Sequence, residues 1–243
     1  MLEQHYLTSL FEPKSVAVIG ASERENSVDS VIFKNILDSG YKGRLYAINP
    51  KHETIQGVQS HASIEEIGAR VELAVICTRP QAVPLIVEQC GRSGIKNVIV
   101  ITSGFAEAGH SGAALERKML EIARSYNVRV LGPNCLGIIR PLLGLNATFA
   151  KVTANIGNLA LVSQSGAMCA AVLDWAKANG VGFSTVISLG GTADVDQLGV
   201  AAVHLQRRAD VFEHLLDELD LPDHRHRRLR RRSRLGLDRG DLH

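Results

Sequence analysis

An α/β fold built on a parallel sheet is predicted by three observations. Short apolar runs alternate with stretches of helical periodicity at close intervals. The first run, Val16–Ile19, ends in a small-residue turn, Gly20-Ala21-Ser22, before Val28, Val31, Ile32, Asn35 and Ile36 recur at helical spacing. The same strand–turn–helix order restarts near residue 158. A small-residue turn between strand and helix lets backbone N–H groups approach phosphate oxygens, and the helix N-terminus adds partial positive charge.

Taken in order, a short helix is expected over His5–Leu10, stopped by Pro13, and a first strand over Ser15–Ile19. A helix over Ser27–Asp38 stops at Gly40, and a second strand over Arg44–Asn49 is closed by Pro50. A loop and a short helical piece follow, in which Ser63 and Glu66 have capping-box spacing. The third strand is Leu73–Cys77 and its helix Gln81–Arg92. The fourth, Asn97–Thr102, is nearly all Val and Ile, as a strand covered on both faces requires. A helix over Ala114–Tyr126, with Ser111 as a candidate cap, leads to a fifth strand, Val128–Leu131, ended by Gly132-Pro133. Residues 135–156 read as a connector. Beyond it lie a strand at Asn158–Val162, a helix at Met168–Ala178 carrying the sole Trp, and a strand at Phe183–Leu189.

Composition excludes several classes. No apolar run approaches the ~20 residues that span a bilayer, and the N-terminus lacks a signal-peptide pattern. The cysteines (Cys77, Cys90, Cys135, Cys169) form no Cys-x-x-Cys pair. Reduced thiols, a cytoplasmic location, no zinc site and no membrane contact are expected. Residues 223–243 hold eight Arg and three Asp, which leaves the main body mildly acidic. From Gln197 to His243 there is no Ile, Lys, Asn, Tyr, Thr, Met or Cys. That segment reads as a G/C-rich gene translated out of frame. The alternative is a genuine Arg-rich tail touching nucleic acid or a membrane surface.

Ligands in parallel α/β sheets sit outside the carboxyl ends of the strands. This selects Gly20–Ser22, Asn49–Lys51, Cys77–Arg79, Thr102–Gly104 and Gly132–Asn134, all small or polar segments apart from their basic residues. The turn at Gly20 is neither Gly-x-Gly-x-x-Gly nor a P-loop. Lys51, where an acidic residue would bond a ribose hydroxyl, suits an added phosphate; an ordinary turn with a solvated lysine is the plainer reading. Glu107, His110 and Ser111 read as a polar loop before a helix. Ser163-Gln164-Ser165-Gly166 is not a Gly-x-Ser-x-Gly elbow, and a backbone nest for phosphate or carboxylate suits it better. Cys135 and Cys169 read as packing residues.

Five segments occur in the order found in the NDP-forming acyl-CoA synthetases, relatives of the succinyl-CoA ligase α subunit. They are Val16–Ser22, Tyr46–Lys51, Ser103–Glu107, Leu131–Gly137 and Leu161–Ala167. Over residues 8–196 the chain resembles that family. Gly144–Phe149 and Leu173–Ala176 are most similar to a branch fused to a GNAT-type protein lysine acetyltransferase. The resemblance implies a Rossmann-like CoA-binding domain over residues 1–140. It also implies a partial flavodoxin-like, succinyl-CoA synthetase-like domain over 141–196 and a non-family tail over 197–243. CoA or acyl-CoA is the implied ligand, with Gly20, Ala21 and Ser22 at its phosphates. Lys51 would lie near the nucleotide phosphates, and Thr102, Ser103 and Asn134 would line the pantetheine path. ATP or ADP with Mg, an ATP-grasp partner subunit or domain, and a phosphohistidine belong to a complete relative. No histidine here matches the phosphorylated one, and no catalytic residue is assigned, so the chain is expected to bind CoA or acetyl-CoA and to catalyse nothing alone. Asp29 stands where the family carries a second glycine, and a carboxylate there is expected to compete with phosphate. The rival readings are a competent ligase α subunit, an NAD(P)-binding protein and a nucleic-acid binder.

Overall fold

The computed structural model describes residues 7–196 and Val200. A four-residue helix, α1 (Thr8–Phe11), precedes β1 (Ser15–Ile19), whose five residues are all buried. α2 (Val28–Asp38) leads to β2 (Arg44–Ile48), followed by two short strands, β3 (Thr54–Ile55) and β4 (Val58–His61). β5 (Leu73–Ile76), α3 (Val83–Arg92), β6 (Asn97–Val100), α4 (His110–Ser125) and β7 (Arg129–Leu131) complete the first unit of alternation. These seven strands form one sheet in the order β3-β4-β2-β1-β5-β6-β7, parallel except for the β3–β4 pair.

Alternation along the strands assigns the two faces. Ala17, Ile19, Ala74, Ile76, Val98 and Val100 join one apolar cluster with Val83 and Val87 of α3 and Met119 of α4. The intervening Val16, Val18, Val75 and Ile99 are equally buried, so both faces of the central strands are covered. That is why these strands are continuous apolar runs.

The second sheet departs from expectation. Residues 135–156, read as a connector, contain an antiparallel pair, β8 (Gly137–Arg140) and β9 (Leu145–Thr148). β10 (Asn155–Ser163), α5 (Gly166–Ala178) and β11 (Gly182–Ser188) follow, and the sheet order is β10-β11-β8-β9. β10 and β11 are parallel; β8 runs antiparallel to β11. The hairpin escapes the sequence pattern because each strand has only four residues, Gly137–Arg140 shows no alternation, and the polar Asn146 and Thr148 of the second strand are buried. Its core holds Leu136, Ile139, Cys169, Leu173, Phe183 and Val186.

Smaller differences have local causes. The Glu66 carboxylate accepts from the Ala62 N–H at 2.9 Å rather than from that of Ser63, and Ser63 does not cap the 3-10 turn Glu65–Ile67, so the expected capping box is not made. α4 begins at His110 rather than Ala114. Its cap position is Gly109, at φ 95°, and Ser111 lies inside the helix. The expected helix His5–Leu10 overlaps α1 over Thr8–Leu10, with residues 1–6 outside the described residues. The tail assigned to 197–243 lies outside them too, apart from Val200. Among the described residues, no helix is long and apolar enough to cross a membrane.

Candidate functional site

The carboxyl ends of β1, β2 and β5 open into a cavity of about 850 Å³ that is lined by Gly20, Ser22, Arg24, Lys51, His52 and Arg79 among others. Beside it, a second cavity of about 1180 Å³ runs from Thr102, Ser103 and Asn134 to Gln164, Ser165 and Gly166 at the start of α5. Asp29, Cys77 and Thr78 line both. The two are therefore arms of one cleft that meet at a shared wall.

The basic arm is organised by the turn after β1. Gly20 has φ 92°, and a Cβ on it would stand 2.7 Å from the Cys77 carbonyl oxygen, so glycine is required for β1 and β5 to end this close together. Its N–H donates to the Ile48 carbonyl at 2.9 Å, the last rung of the β1–β2 ladder. Ser22 and Ser27 carry a small hydroxyl web: the Arg24 N–H donates to Ser22 Oγ at 3.2 Å, and Ser27 Oγ donates to the Arg24 carbonyl at 2.7 Å. Ser27 Oγ also accepts from the Ser30 N–H, capping α2. Ala21 is fully buried and lines neither arm. Its carbonyl accepts from Asn49 Nδ2 at 2.7 Å, while Asn49 Oδ1 accepts from the Lys51 N–H at 2.8 Å. Asn49 thus fixes Lys51 against the Gly20 turn. Sequence reasoning gave no ligand role to Arg24, His52 or Arg79. Arg79 sits in a strand-end segment that was selected, but Arg24 carried no signal beyond its charge.

In the other arm, Thr102 Oγ1 donates to the Thr78 carbonyl at 2.9 Å, and the Asn134 N–H donates to the Thr102 carbonyl at 3.0 Å. These bonds hold the ends of β5, β6 and β7 in one row. Asn134 is left-handed (φ 55°) and exposed, as is Ser103. Burial pushes the Cys77 thiol upward, with the Asp29 carboxylate and Cys135 adding to the shift. Cys135 is pushed up to about 12, also by burial. Both are poor nucleophiles at neutral pH. At the far end, Ser165 Oγ accepts from the Met168 N–H at 3.2 Å and caps α5, which accounts for its hydroxyl without a nucleophilic role. Glu107 does not remain in a free loop: its carboxylate accepts from the Gly104 N–H at 2.6 Å and the Phe105 N–H at 3.2 Å.

Comparison with known proteins gives the family. A CoA-binding domain model matches residues 14–141, and a succinyl-CoA ligase-like flavodoxin domain model matches residues 156–209, past the boundary expected at Asp196. The chain is 47% identical over 188 residues to acetate–CoA ligase [ADP-forming] I of Archaeoglobus fulgidus, covering 77% of this chain and 27% of that protein. It is 41% identical over 194 residues to the α subunit of acetate–CoA ligase [ADP-forming] I of Pyrococcus furiosus, covering 78% and 42%. Among solved structures, the dinucleotide-forming acetyl-coenzyme A synthetase 1 of Ca. Korarchaeum cryptofilum, in complex with phosphate and ADP, superposes with a TM-score of 0.77. It has 36% identity and covers 80% of this chain and 41% of that one. The chain thus spans well under half the length of these relatives. It resembles their CoA-binding N-terminal part, and it belongs to the CoA-binding domain family, with a succinyl-CoA ligase-like domain following.

Proposed function

We propose that the chain is the CoA-binding part of an ADP-forming acyl-CoA synthetase, with CoA laid along the two-armed cleft. The observation that carries this reading is the shared wall at Asp29, Cys77 and Thr78, which joins an arm lined by Arg24, Lys51 and Arg79 to a wider one without that cationic cluster, lined by Lys151 and by the carboxylates of Asp29, Glu107, Glu116 and Asp174. CoA has the same division: a polyanionic adenosine end and a long, uncharged, thiol-ended arm. Lys51, Arg24 and Arg79 supply cations for the phosphates, with Gly20 and Ser22 giving close backbone approach. Ala21 acts from behind, by locking Asn49. Thr102, Ser103 and Asn134 present polar groups to the pantetheine, among apolar neighbours such as Ile101 and Leu136.

When bound, CoA supplies the thiol that accepts an acyl group. The N-terminus of α5, with Gln164, Ser165 and Gly166 in the cleft wall, suits an anionic carboxylate or phosphate at the reacting end. ATP or ADP with Mg is assigned to an ATP-grasp partner or domain, and the phosphohistidine that passes the acyl phosphate on is assigned to the later part of the family's second domain. A relative described as a subunit alpha supports a separate partner. We favour a ligase over the acetyltransferase-fused branch because relatives with 39–47% identity are acetate– and 4-hydroxybutyrate–CoA ligases.

Calorimetric titration with CoA, acetyl-CoA and NAD tests the reading. Saturable heat is expected with both CoA species and none with NAD. Lys51→Ala is expected to weaken CoA roughly ten-fold and to flatten its salt dependence. No heat with either CoA species, at micromolar protein and millimolar ligand, overturns the proposal.

A further inference from the structure

Asp29 lies in the first turn of α2, where an incoming phosphate would meet it as a like charge. Its side chain is only 14% exposed. Its ion-pair partner, Arg24 Nη2, is 3.7 Å away on a side chain 79% exposed. At that distance and exposure the guanidinium neutralises little and makes no hydrogen bond. A largely buried carboxylate is an acceptor only, and it needs donors. Asp29 lines both arms of the cleft, at the wall they share.

The chemistry of CoA at such a bend is specific. Beyond the diphosphate, and before the thiol, the chain carries a hydroxyl and two amide N–H groups, all donors. We propose that Asp29 accepts a hydrogen bond from the pantetheine half of CoA, and so selects ligands that carry this arm over the nucleotide half alone. This rests on the CoA reading above. The carboxylate is then a specificity-determining group, and Arg24 is left to turn from Asp29 toward the phosphates.

The test compares CoA with adenosine 3′,5′-bisphosphate, its nucleotide half, by calorimetry on the full chain. Asp29→Ala is expected to weaken CoA about ten-fold, as loss of one hydrogen bond to a charged group predicts. The bisphosphate should hold its affinity or tighten. Asp29→Asn keeps an acceptor oxygen and the side-chain shape, so its loss for CoA should be smaller, with the bisphosphate again unweakened. It also serves if the alanine variant fails to fold. Parallel tightening of both ligands would show that Asp29 only repels phosphate, and unchanged CoA affinity would show that it touches nothing; either overturns the proposal. Absence of CoA binding by the unmutated chain would instead overturn the site reading itself.

Discussion

At the residue scale, the buried thiols carry a pH signature. All four cysteines are free. Burial raises Cys90 and Cys135 from 9.0 to about 12 in the folded chain. An unfolded chain ionises these thiols near the lower value, so the folded state is penalised only above it. The stability they contribute is present in full below pH 9.0 and is lost as pH rises toward 12. The slope is roughly 1.4 kcal/mol per pH unit for each thiol. Denaturant midpoints measured across the alkaline range should fall accordingly, and Cys90→Ala should fall less steeply. A profile identical in the two proteins would contradict this assignment.

At the element scale, Asn35 ties the helix that bears Asp29 to the second sheet. Its Nδ2 donates to the Thr148 carbonyl at 2.8 Å and the Ala150 carbonyl at 3.0 Å. Asn35→Ala removes both bonds and leaves two part-buried carbonyls short of a donor. A loss of about 1–3 kcal/mol in stability is expected, read from chemical denaturation. Asn35 illustrates what the sequence made legible. Its helical spacing with Ile32 and Ile36 was evident, but its partner lies over a hundred residues away, and nothing local points to it. Strands β1, β5 and β6 were legible because central parallel strands are uninterrupted apolar runs. The hairpin β8–β9 was not, because its strands are only four residues long and Asn146 and Thr148, polar by sequence, are buried. In the site, strand ends could be selected from the sequence, so Lys51, Thr102, Ser103 and Asn134 fall on the cleft. Ala21 falls behind it, because whether a turn residue faces the ligand depends on the turn's geometry rather than on its size. Arg24 joins the cleft only through the fold of the loop between Ser22 and Ser27.

At the scale of the molecule, the two sheet edges differ. Among the described residues, β10 has one strand neighbour, β11. β10 contains no Lys, Arg or Pro, the usual protections of an edge. Ile156 is 68% exposed and Leu159 55%, with Trp175 of α5 exposed to 59%. Self-association that grows with protein concentration is expected in light scattering, and Leu159→Lys should reduce it. A scattering mass independent of concentration would count against the edge as the cause.

The edge at β7 is closed by the chain that leaves β11. The Ala193 N–H donates to the Gly132 carbonyl, and the Val195 N–H to the Val130 carbonyl. The Asp194 carboxylate accepts from Arg129 Nε at 2.7 Å and from the Val130 N–H at 2.9 Å. Residues 189–195 therefore finish the first sheet although they follow the last strand of the second. In the currency of inheritance, this makes the halves poor units of exchange. A recombinant gene that swapped everything beyond residue 141 would replace the seal on β7 along with the second sheet. Shuffled descendants would keep an intact first half only where the incoming half brought an equivalent aspartate to meet Arg129.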